Sequence, residues 1–353
     1  MGLHKLGDEV VDLPLPSSNC HAQNCRRILG EVNSHGSYPF IAVATRLVLI
    51  SGKFRDLGNP VSISWYLWRP MSLAVAFKSA EGIVLAADSR VTLMGSLPIP
   101  SVPQPAGAQL LPQMVVPAMF DNATILLSVK SQPHVGAITY GTAAIGQQAP
   151  RTVSSFLPEF EIGNARLTVE QFATRLGDFF TRQWTSAGMP ANPPMEQDIF
   201  FFVGGYDDAA AYGRLFQLHI PNAPQPQEIF PNPGEFGATW GGQREITDRL
   251  LVGFDPAVPN LVQDLLNIPA NQRRPNLEQE LKNRLITPIP WPFLPLQDCV
   301  DLSIFVVRTT ITLQKWLVGI RGVGGAVDVA TITRTEGFRA IQVKAITGEK
   351  AHG

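Results

Sequence analysis

Apolar and small residues alternate in the segment that begins at Ser72. Leu73, Val75 and Phe77 are separated by alanines, and a turn-like stretch at 79–82 leads into a second apolar run at 83–87. Alternation is the period of a half-buried strand, and two such runs joined by a short turn are typical of a hairpin. The pattern therefore predicts a β-hairpin over 72–88.

Two later stretches have the period of a helix. Thr168, followed three residues later by Gln171, forms a capping box that marks a helix N-terminus. The apolar residues of one face follow it: Val169, Phe172, Leu176 and Phe179. A second face has spacings of four, three and four residues: Val300, Ile304, Val307 and Ile311. Asp301 and Arg308 lie within this second stretch, so it is not a membrane span.

The remaining elements complete an α+β order. A further helix is predicted from Gly141 through about Phe156. Strands are predicted at Thr124–Val129, Val135–Tyr140, Ile199–Val203, Arg214–Ile220, Ala326–Thr333 and Phe338–Val343. Strands, helices, strands, helices and strands in this order are typical of a layered sandwich with sheets inside and helices outside.

Two regions depart from this pattern. Residues 1–70 have little periodicity, and we expect an unstructured N-terminal extension, either a propeptide or a misassigned start. Residues 94–120 contain six prolines, which remove backbone donors, so an inserted surface loop is expected there. The folded domain is therefore expected at 71–353, with this proline-rich insertion.

Composition limits the functional classes. The 353-residue chain has 28 Lys and Arg against 29 Asp and Glu, a net charge of −1, which does not favour nucleic acid or an anionic membrane as a partner. Three cysteines, Cys20, Cys25 and Cys299, cannot form a disulfide framework, and a reducing cytoplasm is expected. Cys20-His21 with Cys25 is a weak zinc signal, and no cofactor fingerprint occurs, so neither a metal nor a cofactor is predicted.

The segment from Ser72 to Arg90 resembles the opening hairpin of proteasome-type subunits, which belong to the N-terminal-nucleophile hydrolase superfamily. Its sequence is SLAVAFKSAEGIVLAADSR. Weaker matches follow in the family's order at 134–136, 140–141, 203–208 and 322–325. The resemblance covers about 71 to 350 and implies a four-layer αββα sandwich, a homo-oligomer, and a peptide or protein substrate.

The resemblance also implies a compact site. In this family the side chain of an N-terminal Thr, Ser or Cys attacks a carbonyl, and its own α-amine is the general base. The family's spacing gives Ser72 the place of the nucleophile, Asp88 that of the neighbouring carboxylate and Gly141 that of the oxyanion donor, with Arg90 in a supporting, structural role. Met71 precedes Ser72, so we expect its removal, or removal of a propeptide, to expose the amine.

Three positions depart from the family pattern. Its catalytic lysine is expected within 123–127, where this chain has none, and Lys130 falls at the far end of that strand. Ile320 and Val323 replace the supporting Asp and Ser. Two alternatives to a proteasome-like peptidase therefore stay open: a non-catalytic ring scaffold, and a different amide hydrolase of the wider superfamily.

Overall fold

The computed structural model describes residues 72–98, 113–146 and 150–348. The extension expected at 1–70 and the tip of the proline-rich stretch, 99–112, lie outside the described residues. The strands are, in chain order, β1 (Leu73–Lys78), β2 (Ile83–Asp88), β3 (Val91–Pro98), β4 (Gln113–Phe120), β5 (Leu126–Ser128), β6 (Val135–Gly141), β7 (Ala144–Ile145), β8 (Arg151–Thr152), β9 (Ile199–Gly205), β10 (Arg214–Ile220), β11 (Ala223–Ile229), β12 (Gly237–Gly242), β13 (Val327–Thr333) and β14 (Gly337–Gln342). The helices are α1 (Val169–Ser186), α2 (Glu245–Leu251), α3 (Val258–Leu265), α4 (Leu277–Leu285) and α5 (Leu296–Gln314).

Two five-stranded sheets contain most of the strands. The first has the spatial order β12-β1-β2-β13-β14, and the second has the order β11-β10-β9-β6-β5. All neighbouring strands in both sheets are antiparallel. The prediction of a mixed α and β fold is therefore confirmed, and its sheets are antiparallel.

The hairpin predicted over 72–88 is formed by β1 and β2, paired from Ala74 with Ala87 to Lys78 with Ile83. Side chains alternate between the two faces of a strand, and here both faces are buried. Val75 and Phe77 pack in one hydrophobic cluster with α5, whereas Ala74 and Ala76 pack in another with the second sheet. Small residues on the inner face let the two sheets approach each other.

Helices pack on both sheets. Helix α1 packs on β9, β10 and β11 of the second sheet, and α5 packs on β1, β2 and β13 of the first. Both helices lie where the sequence predicts them, and the Thr168 capping box is formed with Gln171. Over the described ranges, every helix is too short or not apolar enough to cross a membrane.

The helix predicted from Gly141 through about Phe156 is wrong. The short strands β7 and β8 lie there, and a 3-10 helix follows at Val153–Glu159. Gly141 and Gly146 have φ angles of +87° and +119°, which a right-handed helix does not allow. Small residues alone were therefore a poor helix signal.

The flanks of the predicted proline-rich loop form a two-stranded ribbon. Strands β3 and β4 pair from Val91 with Phe120 to Pro98 with Gln113. Each strand of a two-stranded ribbon is an edge strand, where proline is tolerated. The described part of the loop expected at 94–120 is therefore β-structure, which proline density did not indicate.

Gly177 provides a test of the packing between α1 and β11. A Cβ atom at this position would lie 2.2 Å from the carbonyl oxygen of Pro224. Gly to Ala inside a helix ordinarily stabilises by up to about 1 kcal/mol. We expect Gly177→Ala instead to lower the free energy of unfolding, measured by urea denaturation, by about 1–3 kcal/mol, because the helix must move off the sheet.

The matched control is Ser186→Ala, at the exposed last residue of the same helix. We expect it to change the free energy of unfolding by no more than about 0.5 kcal/mol. Equal or greater stability of Gly177→Ala would contradict the close approach of α1 to Pro224.

Candidate active site around Ser72

Ser72 lies immediately before β1 and is held by three hydrogen bonds. Its N–H donates to the carbonyl oxygen of Gly322 at 3.0 Å, and its own carbonyl oxygen accepts from Gln243 N–H at 2.9 Å. Its Oγ donates to the carbonyl oxygen of Arg90 at 3.1 Å. The residue is only 4% exposed and has a φ of 98°, a left-handed conformation that is strained for a residue with a side chain. The surrounding hydrogen bonds impose this conformation on Ser72.

The Asp88 carboxyl group is fully buried at the end of β2. Its Oδ1 accepts the N–H of Leu73 at 2.8 Å. Its Oδ2 accepts the N–H of Gly324 at 2.7 Å and that of Arg90 at 3.3 Å. One side chain thus joins the start of β1, the residues that follow β2 and the loop that precedes β13.

Burial has a strong effect on the acidity of Asp88. Removal from water disfavours the charged form and raises its pKa to about 7. The three backbone N–H groups and the charge of Arg90 act in the opposite direction. Asp88 therefore exchanges its proton near neutral pH, where an ordinary aspartate is fully ionised.

Arg90 is adjacent to Ser72 through its backbone, but its guanidinium group points elsewhere. The guanidinium pairs with Asp121, at 2.5 Å for Nε to Oδ1, and donates to the carbonyl oxygen of Arg321 at 3.1 Å. It also lies so close to Gly324 that a Cβ there would be 2.3 Å from its Cζ. Arg90 thus links the β2 end to the 321–325 loop.

Gly141 and Ser72 line the same small cleft. Along a strand, the backbone N–H groups of alternate residues point the same way. The Thr139 N–H donates to the carbonyl oxygen of Ile125, so the Gly141 N–H is directed to that side of β6 as well. The cleft has a volume of about 20 Å³, enough for about one water molecule. Its lining residues are Ser72, Val91, Ala123, Thr124, Ile125, Thr139, Tyr140, Gly141, Thr142, Ala143, Thr152 and Val153. The structure therefore brings together the predicted nucleophile and oxyanion donor, with Asp88 bonded to the residue after Ser72.

The cleft is uncharged and carries hydroxyl groups. No lysine or arginine is among the described residues that line it, and Lys130 is exposed beyond the end of β5. Thr139 Oγ1 is buried without a hydrogen-bond partner among the described residues. Val323 is buried in the cluster beneath α5. The groups missing from the sequence pattern are thus not replaced by cations at the cleft itself.

An unpredicted polar network supports the Gly141 segment. Asp198 is fully buried; its Oδ2 lies 2.6 Å from His219 Nδ1, and its Oδ1 accepts from Asn222 Nδ2 at 2.7 Å. The Asp198 carbonyl oxygen accepts the Thr142 N–H at 2.9 Å, and it lies 2.5 Å from where a Gly141 Cβ would be. Burial raises the pKa of Asp198. The residues lie 21 and 24 positions apart, so periodicity gave no signal for this network.

A wider cavity of about 520 Å³ shares Tyr140 with the small cleft. Tyr140 contributes to the walls of both spaces, and its ring stacks on Phe200 with 5.0 Å between centroids. The ring also occupies the space that a side chain at Gly241 would fill. In the described ranges, His, Cys, Asp and Glu side chains do not gather in a group of three or more that could hold a metal ion.

Comparison with known proteins identifies no family for this chain. No family model matches it, and no curated protein matches it. Among solved structures, Anbu (ancestral beta-subunit) from Yersinia bercovieri is similar at 14% identity, covering 76% of this chain and 86% of that one, with a TM-score of 0.40. A helical assembly of the Anbu complex from Pseudomonas aeruginosa is similar at 15% identity, covering 76% and 84%, with a TM-score of 0.42.

These findings correct the family identification made from the sequence. The assignment to the proteasome-type subunits is wrong, because no family model matches and the similar structures are Anbu proteins at low TM-scores. The hairpin sequence at 72–90 was specific enough to predict local structure. It was not enough to assign the chain to that family.

The raised pKa of Asp88 predicts a pH dependence of stability. Between the unfolded pKa, about 3.9, and the folded pKa, the folded state holds a proton that the unfolded state releases. The contribution of Asp88 to the free energy of unfolding is therefore fully present below about pH 4 and is lost as the pH rises through about 7. We expect the free energy of unfolding to fall more steeply from pH 5 to 8 in the wild type than in Asp88→Asn.

Asp121→Asn is the matched control. Pairing with Arg90 lowers the pKa of Asp121, so its contribution is present above the unfolded pKa and is lost only as the pH falls below that range. This variant should keep the wild-type slope between pH 5 and 8. An identical slope in the wild type and Asp88→Asn would show that Asp88 is not protonated in the folded protein in this range.

Proposed function

We propose that this chain is a peptidase or amide hydrolase whose nucleophile is the Oγ of Ser72, made N-terminal by removal of Met71 or of a longer propeptide. The observation that carries the proposal is that Ser72 and Gly141 line one cleft, while Asp88 accepts the N–H of Leu73, the residue after Ser72. These groups come from distant parts of the chain. The hydrogen bonds that fix them are made by buried backbone groups, which gives the arrangement a defined geometry.

The proposed reaction needs only groups of this chain and water. The free α-amine of Ser72, with an ordinary pKa of about 7.7–8.0, accepts the Oγ proton as Oγ attacks the substrate carbonyl. The Gly141 N–H stabilises the negative oxygen that forms. The amine then gives its proton to the leaving nitrogen, the amide bond breaks, and water hydrolyses the remaining ester to release Ser72.

Asp88 and Gly322 are positioning residues in this mechanism. The Asp88 carboxyl holds the N–H of Leu73, the residue that follows the nucleophile, and the N–H of Gly324. The Gly322 carbonyl oxygen, now bonded to the Ser72 amide, would accept a hydrogen bond from the free amine. Cleavage before Ser72 would also remove the constraint on its φ angle, so processing relieves the strain at that residue.

A non-catalytic subunit of an assembly is the second candidate. It is favoured by the absence of cations among the described residues that line the cleft, and by the cleft's small volume of about 20 Å³. Loss of one charge-stabilising group typically costs about 10²–10³ in rate. A scaffold would keep the hydrogen bonds of Ser72 and Asp88 for stability alone.

The finer structural expectations belong to the same proposal. We propose a four-layer αββα sandwich, supported by three hydrophobic clusters: one beneath α1, one between the sheets and one beneath α5. A homo-oligomer is also proposed, supported by exposed apolar side chains on and after α5, such as Phe305 and Trp316. Residues 1–70 as a removable extension and a cytoplasmic location remain predictions.

The test combines processing with chemical labelling. We expect the intact mass and N-terminal sequence of protein purified from its native host to identify a chain that begins at Ser72. An electrophile selective for N-terminal nucleophiles should then label that residue, located by peptide mass spectrometry. Ser72→Ala should abolish the labelling, whereas Ser186→Ala, at an exposed serine far along the chain, should leave it unchanged.

The outcomes separate the two candidates. In a stable native protein that keeps residues before Ser72, the α-amine of Ser72 is not free. That result would favour the non-catalytic subunit over the hydrolase. A processed protein that the electrophile does not label would likewise contradict nucleophilic catalysis by Ser72. Labelling that persists in Ser72→Ala would place the reactive group elsewhere.

A further inference from the structure

A second cavity is lined in part by Gly324, whose N–H donates to Asp88. It has a volume of about 430 Å³ and is lined by Arg90, Asp121, Arg308, Ile311, Gln314, Lys315, Arg321, Val323, Gly324 and Gly325. Four of these side chains are cationic and one is anionic. Positive charge is therefore concentrated at this cavity in a chain whose net charge is −1.

Most of this positive charge is not neutralised within the described residues. Arg90 is paired with Asp121, so these two charges balance. Arg308, Lys315 and Arg321 are exposed and have no carboxylate partner in the part of the chain that the structure describes. Lys315 follows the last residue of α5, where a cation also complements the helix dipole. The helix dipole does not explain the positions of Arg308, which lies within the helix, or of Arg321, which lies in the loop.

The cavity floor is formed by defined structure. The side chain of Gln314 is held on both sides: its Oε1 accepts the Val323 N–H at 3.0 Å, and its Nε2 donates to Gln243. The Arg90 guanidinium lies flat against Gly324, in the space that any side chain there would occupy. The loop backbone beneath the cations is thus fixed by buried hydrogen bonds.

We propose that this cavity binds a small molecule carrying two or more phosphate groups. Guanidinium groups bind phosphate oxygens by paired, charge-assisted hydrogen bonds, and lysine adds a point charge. The volume lies within the range of small-molecule sites, about 300–1,000 Å³, and is larger than a single phosphate needs. Binding here does not depend on hydrolase activity.

Binding would also stabilise the 321–325 loop. The carbonyl oxygen of Arg321 accepts from Arg90, and that of Gly322 accepts from Ser72. The N–H of Gly324 donates to Asp88. The loop that presents Arg321 to the cavity is therefore the loop that holds Ser72 and Asp88.

Calorimetric titration of the full chain with pyrophosphate tests the proposal. We expect saturable binding by the wild type, weakened at least tenfold in the double variant Arg308→Gln, Arg321→Gln. The control Arg182→Gln removes an exposed arginine of α1 that does not line the cavity and should bind as the wild type does. Arg308→Gln, Lys315→Gln is a second variant that leaves the loop sequence intact, and it should weaken binding similarly.

Hydrogen exchange gives a separate readout. Pyrophosphate should slow amide exchange in peptides covering 320–326 but not in peptides from α1. Sodium chloride at matched ionic strength should not reproduce this protection, because simple screening has no preferred site. Absence of saturable binding, equal loss in Arg182→Gln, or equal protection by chloride would each overturn the proposal.

Discussion

The buried carboxyl group of Asp88 is the interaction on which the candidate site depends. Its two oxygens accept N–H groups from Leu73, Arg90 and Gly324, which lie far apart in the sequence. A buried polar group is costly when unpaired, so each of these hydrogen bonds must form if the domain is to fold around this carboxyl. The start of β1, the end of β2 and the loop before β13 are therefore placed together by one side chain.

The loop at 321–325 serves both sides of this arrangement. Its backbone binds Ser72 and Asp88, and its Arg321 side chain lines the second cavity. Two adjacent glycines of the loop have close neighbours. A side chain at Gly324 would collide with the Arg90 guanidinium, and Gly325 has a φ of +74° with no room for a Cβ beside Asp121. The Gly-Gly pair is thus explained by close approach of other groups.

The sequence was most informative where short periods coincide with local packing. The β1–β2 hairpin, the capped helix α1 and the β-branched helix α5 were all predicted, because alternation and helical spacing reflect which face is buried. The sequence patterns did not predict the strands β11 and β12 or the three helices in the region 223–285. There the strand 223–229 carries prolines and is mostly half exposed, so its alternation is weak.

The same contrast between local sequence signals and long-range contacts applies to the residues of the candidate site. Ser72 and Asp88 were predicted from the resemblance of one hairpin and its spacing, and Gly141 from a weaker match further along the chain. The Asp198–His219–Asn222 network was missed because it depends on the pairing of β9 with β10, which no local pattern encodes. The direction of the Arg90 guanidinium was also unpredictable, because it is set by Asp121 and the Arg321 carbonyl.

The distribution of charge explains why the α-amine is central to the proposed chemistry. Burial raises the pKa of Asp88, and the charge of Arg90 opposes that rise. The Arg90 charge is nevertheless balanced by Asp121, and its side chain lines the second cavity. The described lining of the Ser72 cleft has no cation of its own. For Ser72 to act as the proposed nucleophile, its hydroxyl needs a base adjacent to it, and a processed chain would place its own amine there. The same reasoning makes the state of the bond between Met71 and Ser72 the feature that separates a hydrolase from a scaffold.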